Sequence, residues 1–166
     1  MPGVTGAGPV IRGVILLKAV EIERHADHRD ATEVDVSHFE MSIAARLPDD
    51  YRDFLLRYNG GYPQPNGFRD GNEVLSCFFG LWQKHADLNY ELLAHRGVIP
   101  AGMIPIASDP FGNSVLLEVA RPHRGRVWFW DHEQSGEPDK AVSLLAETFT
   151  EFVASLVPLE NHEADG

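Results

Sequence analysis

The sequence predicts an α+β fold, a mainly antiparallel β-sheet packed against several α-helices. Helical patterns lie toward both ends of the chain, whereas short β-rich segments separated by turn residues fill its middle. With 166 residues, of which 43% are hydrophobic and 23% charged, the chain is long enough to bury a core of its own. We therefore expect a single domain over residues 14–157, with a flexible N-terminus at 1–13 and a flexible C-terminus at 158–166.

The first two elements are predicted as helices. Residues 14–24 match helical spacing only loosely, and their valine and isoleucine content would also suit a strand. A stronger signal is the capping box that begins at Ser37, in which Glu40 can reach back to the Ser37 amide. This box predicts a helix from His38 to about Ala45.

The next helix is predicted from Pro48 to Asn59. Pro48 suits the first helical position, where its missing N–H costs nothing, and two aspartates follow it at the positive end of the helix dipole. Four aromatic and aliphatic residues recur at helical spacing and form one stripe, which we expect to be buried. They are Tyr51, Phe54, Leu55 and Tyr58.

Beyond this helix, glycines and prolines divide the chain. Four glycines and two prolines between Gly60 and Asn72 predict an exposed loop. The remaining pattern predicts strands at 73–79, 103–107, 115–119 and 126–130, a helix at 87–95, a turn at 109–113, and a final helix that opens at the capping box of Thr148. The strands on either side of the turn at 121–125 read as an antiparallel meander.

Charge and cysteine content restrict the class of protein. The net charge is −11, with the excess acids in residues 21–50 and 101–166, which disfavours phosphate backbones and anionic lipid and favours a basic partner or solubility alone. The three arginines of residues 121–126 are too few to reverse this preference. The lone Cys77 forms no internal disulfide, and no secretory signal or run of about 20 apolar residues is present, so we expect a cytoplasmic protein.

Two candidate chemical sites remain open as alternatives. His25 and His28, with Asp30 nearby, could hold a metal, although a solvated polar segment explains them better. Asp131, His132 and Glu133 could perform general acid–base work in a hydrolase, but adjacent side chains on an extended segment point to opposite faces. Because no nucleophile, phosphate-loop or dinucleotide motif is present, we expect no enzyme activity, no cofactor and no metal.

Four motifs in a fixed order resemble the SUKH superfamily, which includes fungal cell-wall assembly regulators and bacterial immunity proteins. The resemblance covers residues 37–157. The motifs are Leu47 to Leu55 running into Asn59-Gly60-Gly61, then Ile104 to Asp109 with Gly112-Asn113, then Gly125-Arg126-Val127 with Trp130 to Glu133, and finally Thr148 to Phe152.

The resemblance implies a non-catalytic protein-binding module, similar to antidotes that neutralise toxins, often nucleases, by stoichiometric binding. A regulatory scaffold in cell-envelope or stress signalling is the alternative within binding. We expect the partner to be a basic toxin domain, with no direct contact to nucleic acid or membrane. A strand that ends in an indole followed by acids offers an anchor with a charged rim. The expected partner-binding residues are Tyr62, Trp82, Asp109, Trp130, Asp131, His132 and Glu133. The cluster of Phe78, Phe79 and Trp82 is either core or an exposed patch.

Overall fold

The computed structural model of the protein describes residues 20–160, which form a five-stranded antiparallel sheet, two two-stranded sheets and five short α-helices. In chain order the elements are β1 (Glu21–Glu23), α1 (Glu33–Ser42), α2 (Asp49–Arg57), β2 (Tyr62–Gln64), β3 (Gly67–Phe68), β4 (Glu73–Val74), β5 (Cys77–Phe78), α3 (Leu88–Ala94), β6 (Met103–Ser108), β7 (Ser114–Glu118), β8 (Val127–Trp130), a 3-10 helix (His132–Gln134), α4 (Pro138–Ala141), β9 (Val142–Ala146) and α5 (Phe149–Ala154). The predicted α+β class is confirmed.

The central sheet follows chain order, β5-β6-β7-β8-β9, with every neighbouring pair antiparallel. The predicted meander is therefore confirmed, and its strand limits lie within one residue of those expected from the turn residues. The edge strand β9 was not predicted. It lies so close to Gly136 and Pro138 that its apolar residues show no alternating pattern of their own from which a strand could be predicted.

Aromatic side chains from three parts of the chain meet in the core. The Phe54 ring of α2 lies 5.0 Å from Phe78 of β5 and 5.1 Å from Phe149 of α5, measured between centroids. The predicted stripe of α2 is confirmed at Tyr51, Phe54 and Leu55, all buried, while Tyr58 is half-buried. Such ring pairs, mostly edge-to-face, contribute about 0.5 to 1.5 kcal/mol each beyond the area they bury.

The segment that follows β9 closes the core. Phe149 and Phe152 of α5 are buried, and the Thr150 N–H donates to Asp50 Oδ2 at 2.9 Å, across 100 residues of chain. Gly67 and Val157 exchange two backbone hydrogen bonds, of 2.8 and 2.9 Å. Residues 149–157 thus join α2 to the region of β3.

The predicted helix over residues 14–24 is wrong where the structure describes it. Residues 21–23 form β1, which pairs antiparallel with β2, Ile22 opposite Pro63. Residues 14–19 lie outside the described residues. The pairing partner lies about 40 residues along the chain, so a local pattern could not reveal it.

Helix α1 begins five residues before the predicted start. Thr32 is the N-cap: its Oγ1 accepts from the Asp35 N–H at 3.2 Å, and the Asp35 carboxylate accepts from the Thr32 N–H at 2.8 Å. Thr32 and Ser37 each precede an acidic residue by three positions, and the earlier box begins the helix. Ser37 consequently lies inside α1, which ends at Ser42.

The segment from Gly60 to Asn72 is not the exposed loop that was predicted. It contains β2 and β3, and Phe68 is buried in the core. The predicted strand at 73–79 is divided, because β4 pairs with β3 whereas β5 pairs with β6. The two halves belong to different sheets.

The predicted helix at 87–95 and the capped helix at Thr148 are both present, as α3 and α5. Of the ends expected to be flexible, 1–13 and 161–166 lie outside the described residues. Among residues 20–160, no helix combines the length and the apolar character needed to cross a bilayer.

Candidate interaction surfaces

The end of β8 leads into a capped 3-10 helix. Asp131 Oδ1 accepts from the Glu133 N–H at 3.0 Å, and Oδ2 accepts from Gln134 Nε2 at 2.6 Å. These hydrogen bonds, that from Gln134 first, hold the pKa of Asp131 below its usual value. The carboxylate is therefore ionised at neutral pH.

The turn between β6 and β7 is fixed by a second carboxylate. The buried Asp109 accepts through Oδ1 from the N–H groups of Phe111 and Asn113, both at 2.8 Å, and through Oδ2 from Asn113 Nδ2 at 2.7 Å. Asn113 Oδ1 then accepts from the His132 N–H at 3.1 Å and from His132 Nδ1 at 2.8 Å. This chain of hydrogen bonds ties the turn to the 3-10 helix.

The tied loops present one aromatic side chain and several carboxylates to solvent. Phe111 is 69% exposed at the tip of the turn. We call this surface the acidic edge, and it consists of Phe111, Asp131, His132, Glu133, Glu137 and Asp139. Within residues 20–160, Glu137 pairs with Lys140, while no ion pair engages the carboxylates of Asp131, Glu133 or Asp139. The edge therefore carries uncompensated negative charge.

Trp130 lies beneath this surface, with 6% of its area exposed. Its ring meets His95 edge-on at 5.5 Å between centroids, and it packs with Leu116 and Ala141. Asp109 is equally buried. Trp130 and Asp109 were both expected to bind a partner, but both are buried. A partner at this edge would instead contact the exposed residues next to them.

Tyr62 and Trp82 belong to a different surface, which we call the tryptophan face and which also includes residues 24–30. Trp82 is 49% exposed and Tyr62 42%. His25 lies between the Tyr62 ring, 4.9 Å away between centroids, and the Phe78 carbonyl oxygen, which accepts from His25 Nε2 at 3.2 Å. Phe78 and Phe79 are core residues, so the predicted cluster with Trp82 is divided between core and surface.

A buried amide network holds the Trp82 loop in place. Asn59 accepts from the Leu81 N–H at 2.7 Å and donates to the carbonyl oxygens of Leu81 at 2.8 Å and Arg29 at 2.7 Å. Gln83, also buried, donates to the Arg29 carbonyl oxygen at 2.9 Å. Trp82 adopts φ +58° within this frame, a conformation that is unusual for a bulky residue and that persists only where the surroundings enforce it.

The charges of the tryptophan face largely pair with one another. Three permanent cations lie within 4 Å of three carboxylates. The pairs are Arg24 with Asp30 at 3.9 Å, Arg29 with Asp35 at 3.7 Å and Lys84 with Asp27 at 3.8 Å. This surface therefore lacks the charge excess of the acidic edge.

The geometry does not assemble the acid–base site considered for Asp131, His132 and Glu133. His132 Nδ1 bonds to the Asn113 amide oxygen, and the hydrogen bonds found among residues 20–160 join the imidazole to neither carboxylate. Asp131 caps the 3-10 helix, and its lowered pKa is the opposite of what a general acid requires. The three residues share a loop without sharing a reacting centre.

The histidines of the tryptophan face are likewise held by local contacts. His25 Nε2 donates to the Phe78 carbonyl oxygen, and His28 Nε2 lies 2.8 Å from Asp30 Oδ1. Residues 20–160 contain no group of three or more histidine, cysteine or acidic side chains able to hold a metal ion. Burial raises the pKa of Cys77, which lies 3.9 Å from the Ser108 hydroxyl, and a raised pKa disfavours the nucleophilic thiolate.

Sequence reasoning missed Phe111. Within the turn at 109–113 only Asp109 was expected to contact a partner, and the indole of Trp130 was the expected anchor. A large apolar residue at the tip of a turn built from Asp, Pro, Gly and Asn has no core position available to it, and that is the signal that identifies it.

Comparison with known proteins confirms the resemblance predicted from the four motifs. The model of the SMI1 / KNR4 family (SUKH-1) matches residues 30–155. The SPbeta prophage-derived uncharacterized protein YokK of Bacillus subtilis (strain 168) is 33% identical, over 81% of this chain and 80% of that relative. With a match that spans α1 to α5, the chain belongs to the SMI1 / KNR4 family (SUKH-1), whose members act through protein binding.

Proposed function

We propose that this protein is an immunity protein that neutralises a toxin by stoichiometric binding through its acidic edge. The family indicates a toxin-immunity or regulatory role. The observation that carries the proposal is the acidic edge itself, in which the turn of the exposed Phe111 is hydrogen-bonded through Asn113 to the loop that carries the carboxylates.

The charge of this edge favours a basic partner. Asp131, Glu133 and Asp139 lack ion-pair partners within residues 20–160, and the whole chain carries a net charge of −11. A toxin domain that cleaves nucleic acid needs a basic surface to bind phosphates, and carboxylates at that surface would exclude the substrate. Rim charges of this kind mainly accelerate encounter.

Phe111 supplies the apolar anchor of the proposed interface. The Asp109 hydrogen bonds fix its turn before any partner arrives, so little conformational entropy is lost on binding. Truncation of a central aromatic anchor commonly costs about 2 kcal/mol or more, which is roughly a 30-fold loss of affinity.

Co-expression with the product of the adjacent gene tests the proposal. We expect the chain to restore growth when that product is toxic and to form a complex with it of defined stoichiometry. The association rate should fall steeply with added salt. Reversal of Asp131, Glu133 and Asp139 to lysine should slow association about 10- to 100-fold at low salt.

Two matched variants locate the interface. Phe111→Ala should accelerate dissociation of the complex, whereas Trp82→Ala, which truncates an exposed aromatic on the charge-balanced face, should leave it unchanged. The opposite result would move the interface to the tryptophan face. A stable complex without growth rescue would support a regulatory scaffold instead, and an association rate independent of salt would refute the electrostatic part.

A further inference from the structure

An apolar groove of about 480 Å³ lies beside α3, between the C-terminal end of α1 and the start of β6. Aliphatic side chains form most of its walls, among them Ile43, Leu92, Ile99 and Met103. Its volume falls in the range of binding sites for small ligands and peptide side chains. Neither the acidic edge nor the tryptophan face includes these residues.

Exposed apolar side chains lie in the groove and in the segments that line it. Leu93, a lining residue, is 66% exposed, and half or more of the area is exposed at three sequence neighbours of lining residues, Val98, Met41 and Tyr90. A small molecule in the groove would leave these exposed side chains in water. A protein segment that lies across the groove would cover the groove and these exposed side chains together. The extent of the apolar surface therefore favours a protein ligand.

One cation lies among the residues that line the groove. Of the lining residues within 20–160, Arg96 carries the formal charge, and no carboxylate of these residues pairs with it. The neighbouring His95 is already engaged, because its Nδ1 donates to the Glu91 carbonyl oxygen at 2.8 Å and its Nε2 accepts from Ser114 Oγ at 2.9 Å. The Glu91 carboxylate lies 3.7 Å from the same His95 Nδ1.

We infer that the groove binds an amphipathic helical segment of a second protein, with apolar side chains between α1 and α3 and a carboxylate facing Arg96. The unpaired Arg96 guanidinium selects a segment that carries a carboxylate at this point. An acidic segment differs in charge from the basic partner proposed for the acidic edge.

A peptide probe tests this inference on the full chain. The probe is an end-capped amphipathic peptide of about 15 residues, with leucines at helical spacing and glutamates on its polar face. A second peptide carries lysines in place of the glutamates. We expect the glutamate peptide to bind at least about tenfold more tightly, a difference of roughly 1.4 kcal/mol, and to perturb amide resonances of α3.

Charge reversal at the groove supplies the specific control. Arg96→Glu should invert the preference between the two peptides, whereas Arg24→Glu, the same change at an exposed site outside the groove, should leave it in place. Leu93→Glu, also at an exposed position, should weaken both peptides without loss of the folded structure, as measured by circular dichroism.

Three results would overturn the inference. Binding that ignores the peptide charge or the Arg96 variant would remove the carboxylate contact. Concentration-dependent dimers that Leu93→Glu converts to monomers would assign the groove to a second copy. The third result concerns the N-terminal residues outside the described part of the chain. If the double substitution Leu16→Glu and Leu17→Glu tightens peptide binding, this segment of the same chain competes for the groove. Growth rescue plays no part in these measurements, so the immunity proposal is tested separately.

Discussion

At the scale of single residues, Trp82 shows how a side chain is presented at an energetic cost. Its φ of +58° is a left-handed conformation that disfavours every residue with a Cβ by about 1 to 2 kcal/mol. Hydrogen bonds fix the backbone on both sides, from the Leu81 N–H to Asn59 Oδ1 and from the Gln83 N–H to Asp87 Oδ2. We therefore expect the loop to keep this conformation when residue 82 is replaced.

Two substitutions at this position measure that cost. Both Trp82→Gly and Trp82→Ala remove the half-exposed indole, but only glycine adopts positive φ freely. We expect the glycine variant to be more stable than the alanine variant by about 1 kcal/mol in urea denaturation. Equal stabilities would mean that the loop relaxes when the indole is removed.

At the scale of elements, the close approach of two backbones joins the end of α2 to the loop before α3. Gly80 donates its N–H to the Ala86 carbonyl oxygen at 3.0 Å, and its own carbonyl oxygen accepts from the Leu88 N–H at 2.8 Å. A Cβ at Gly80 would overlap the Asn59 carbonyl oxygen and lie 2.7 Å from its carbon. Backbone atoms cannot move aside as a flexible side chain can.

Gly80→Ala should therefore lower the free energy of unfolding by about 3 kcal/mol or more. Gly136→Ala is the matched control, because nothing lies within 4 Å of a Cβ at that position. We expect the control to change stability by less than about 0.5 kcal/mol. Chemical denaturation of both variants tests the difference, and a Gly80 variant as stable as its control would contradict the contact.

The same scale shows how far the sequence predicts the fold. The period of α2 and the turns around β6, β7 and β8 are local signals, and they gave those elements correctly. By contrast, β2 and β3 lie in a segment rich in glycine and proline, and they are strands only because β1 and β4 pair with them. Pairing between distant segments leaves no periodicity in a single sequence.

The sequence named three residues of the acidic edge, Asp131, His132 and Glu133, but not their arrangement, and a binding role for them stays a prediction. The sequence placed Asp109, Asp131 and His132 at loop edges, where they lie. The antiparallel pairing of β7 with β8 brings the two loops together, so that Asn113 can join them. The same arrangement buries Trp130 and leaves Phe111 exposed. The alternation of side chains along β8 does not fix which face the core covers.

At the scale of the whole molecule, the four lowered pKa values act on stability in one direction. Burial, partly offset by the Phe78 carbonyl, lowers the pKa of His25, and hydrogen bonds lower the pKa values of Asp30, Asp35 and Asp131. In each case the native state binds fewer protons than the unfolded chain. The free energy of unfolding consequently falls as the pH falls.

The two classes of group act in different pH windows. His25 lowers the free energy of unfolding as the pH falls from about 7, through the usual histidine pKa of 6.5, to the lowered pKa of the native state. The carboxylates lose their contribution only below about pH 5. His25→Gln should therefore reduce the pH dependence of the free energy of unfolding in the upper window and leave that of the lower window unchanged. The control is His123→Gln, in the exposed turn before β8, which should change the pH dependence in neither window. Urea denaturation from about pH 8 to 4 measures both variants, and an unchanged upper window in His25→Gln would contradict the assignment.

The closure of the core by residues 149–157 has a consequence for biosynthesis. The ribosome makes β1 through β9 before the two phenylalanines of α5 and the Val157 bridge exist, so the hydrophobic interior stays open during most of translation. The last steps of folding therefore wait for residues 149–157 and cannot be completed together with the earlier elements. A chain of this design can close its core only once it has been synthesised through Val157.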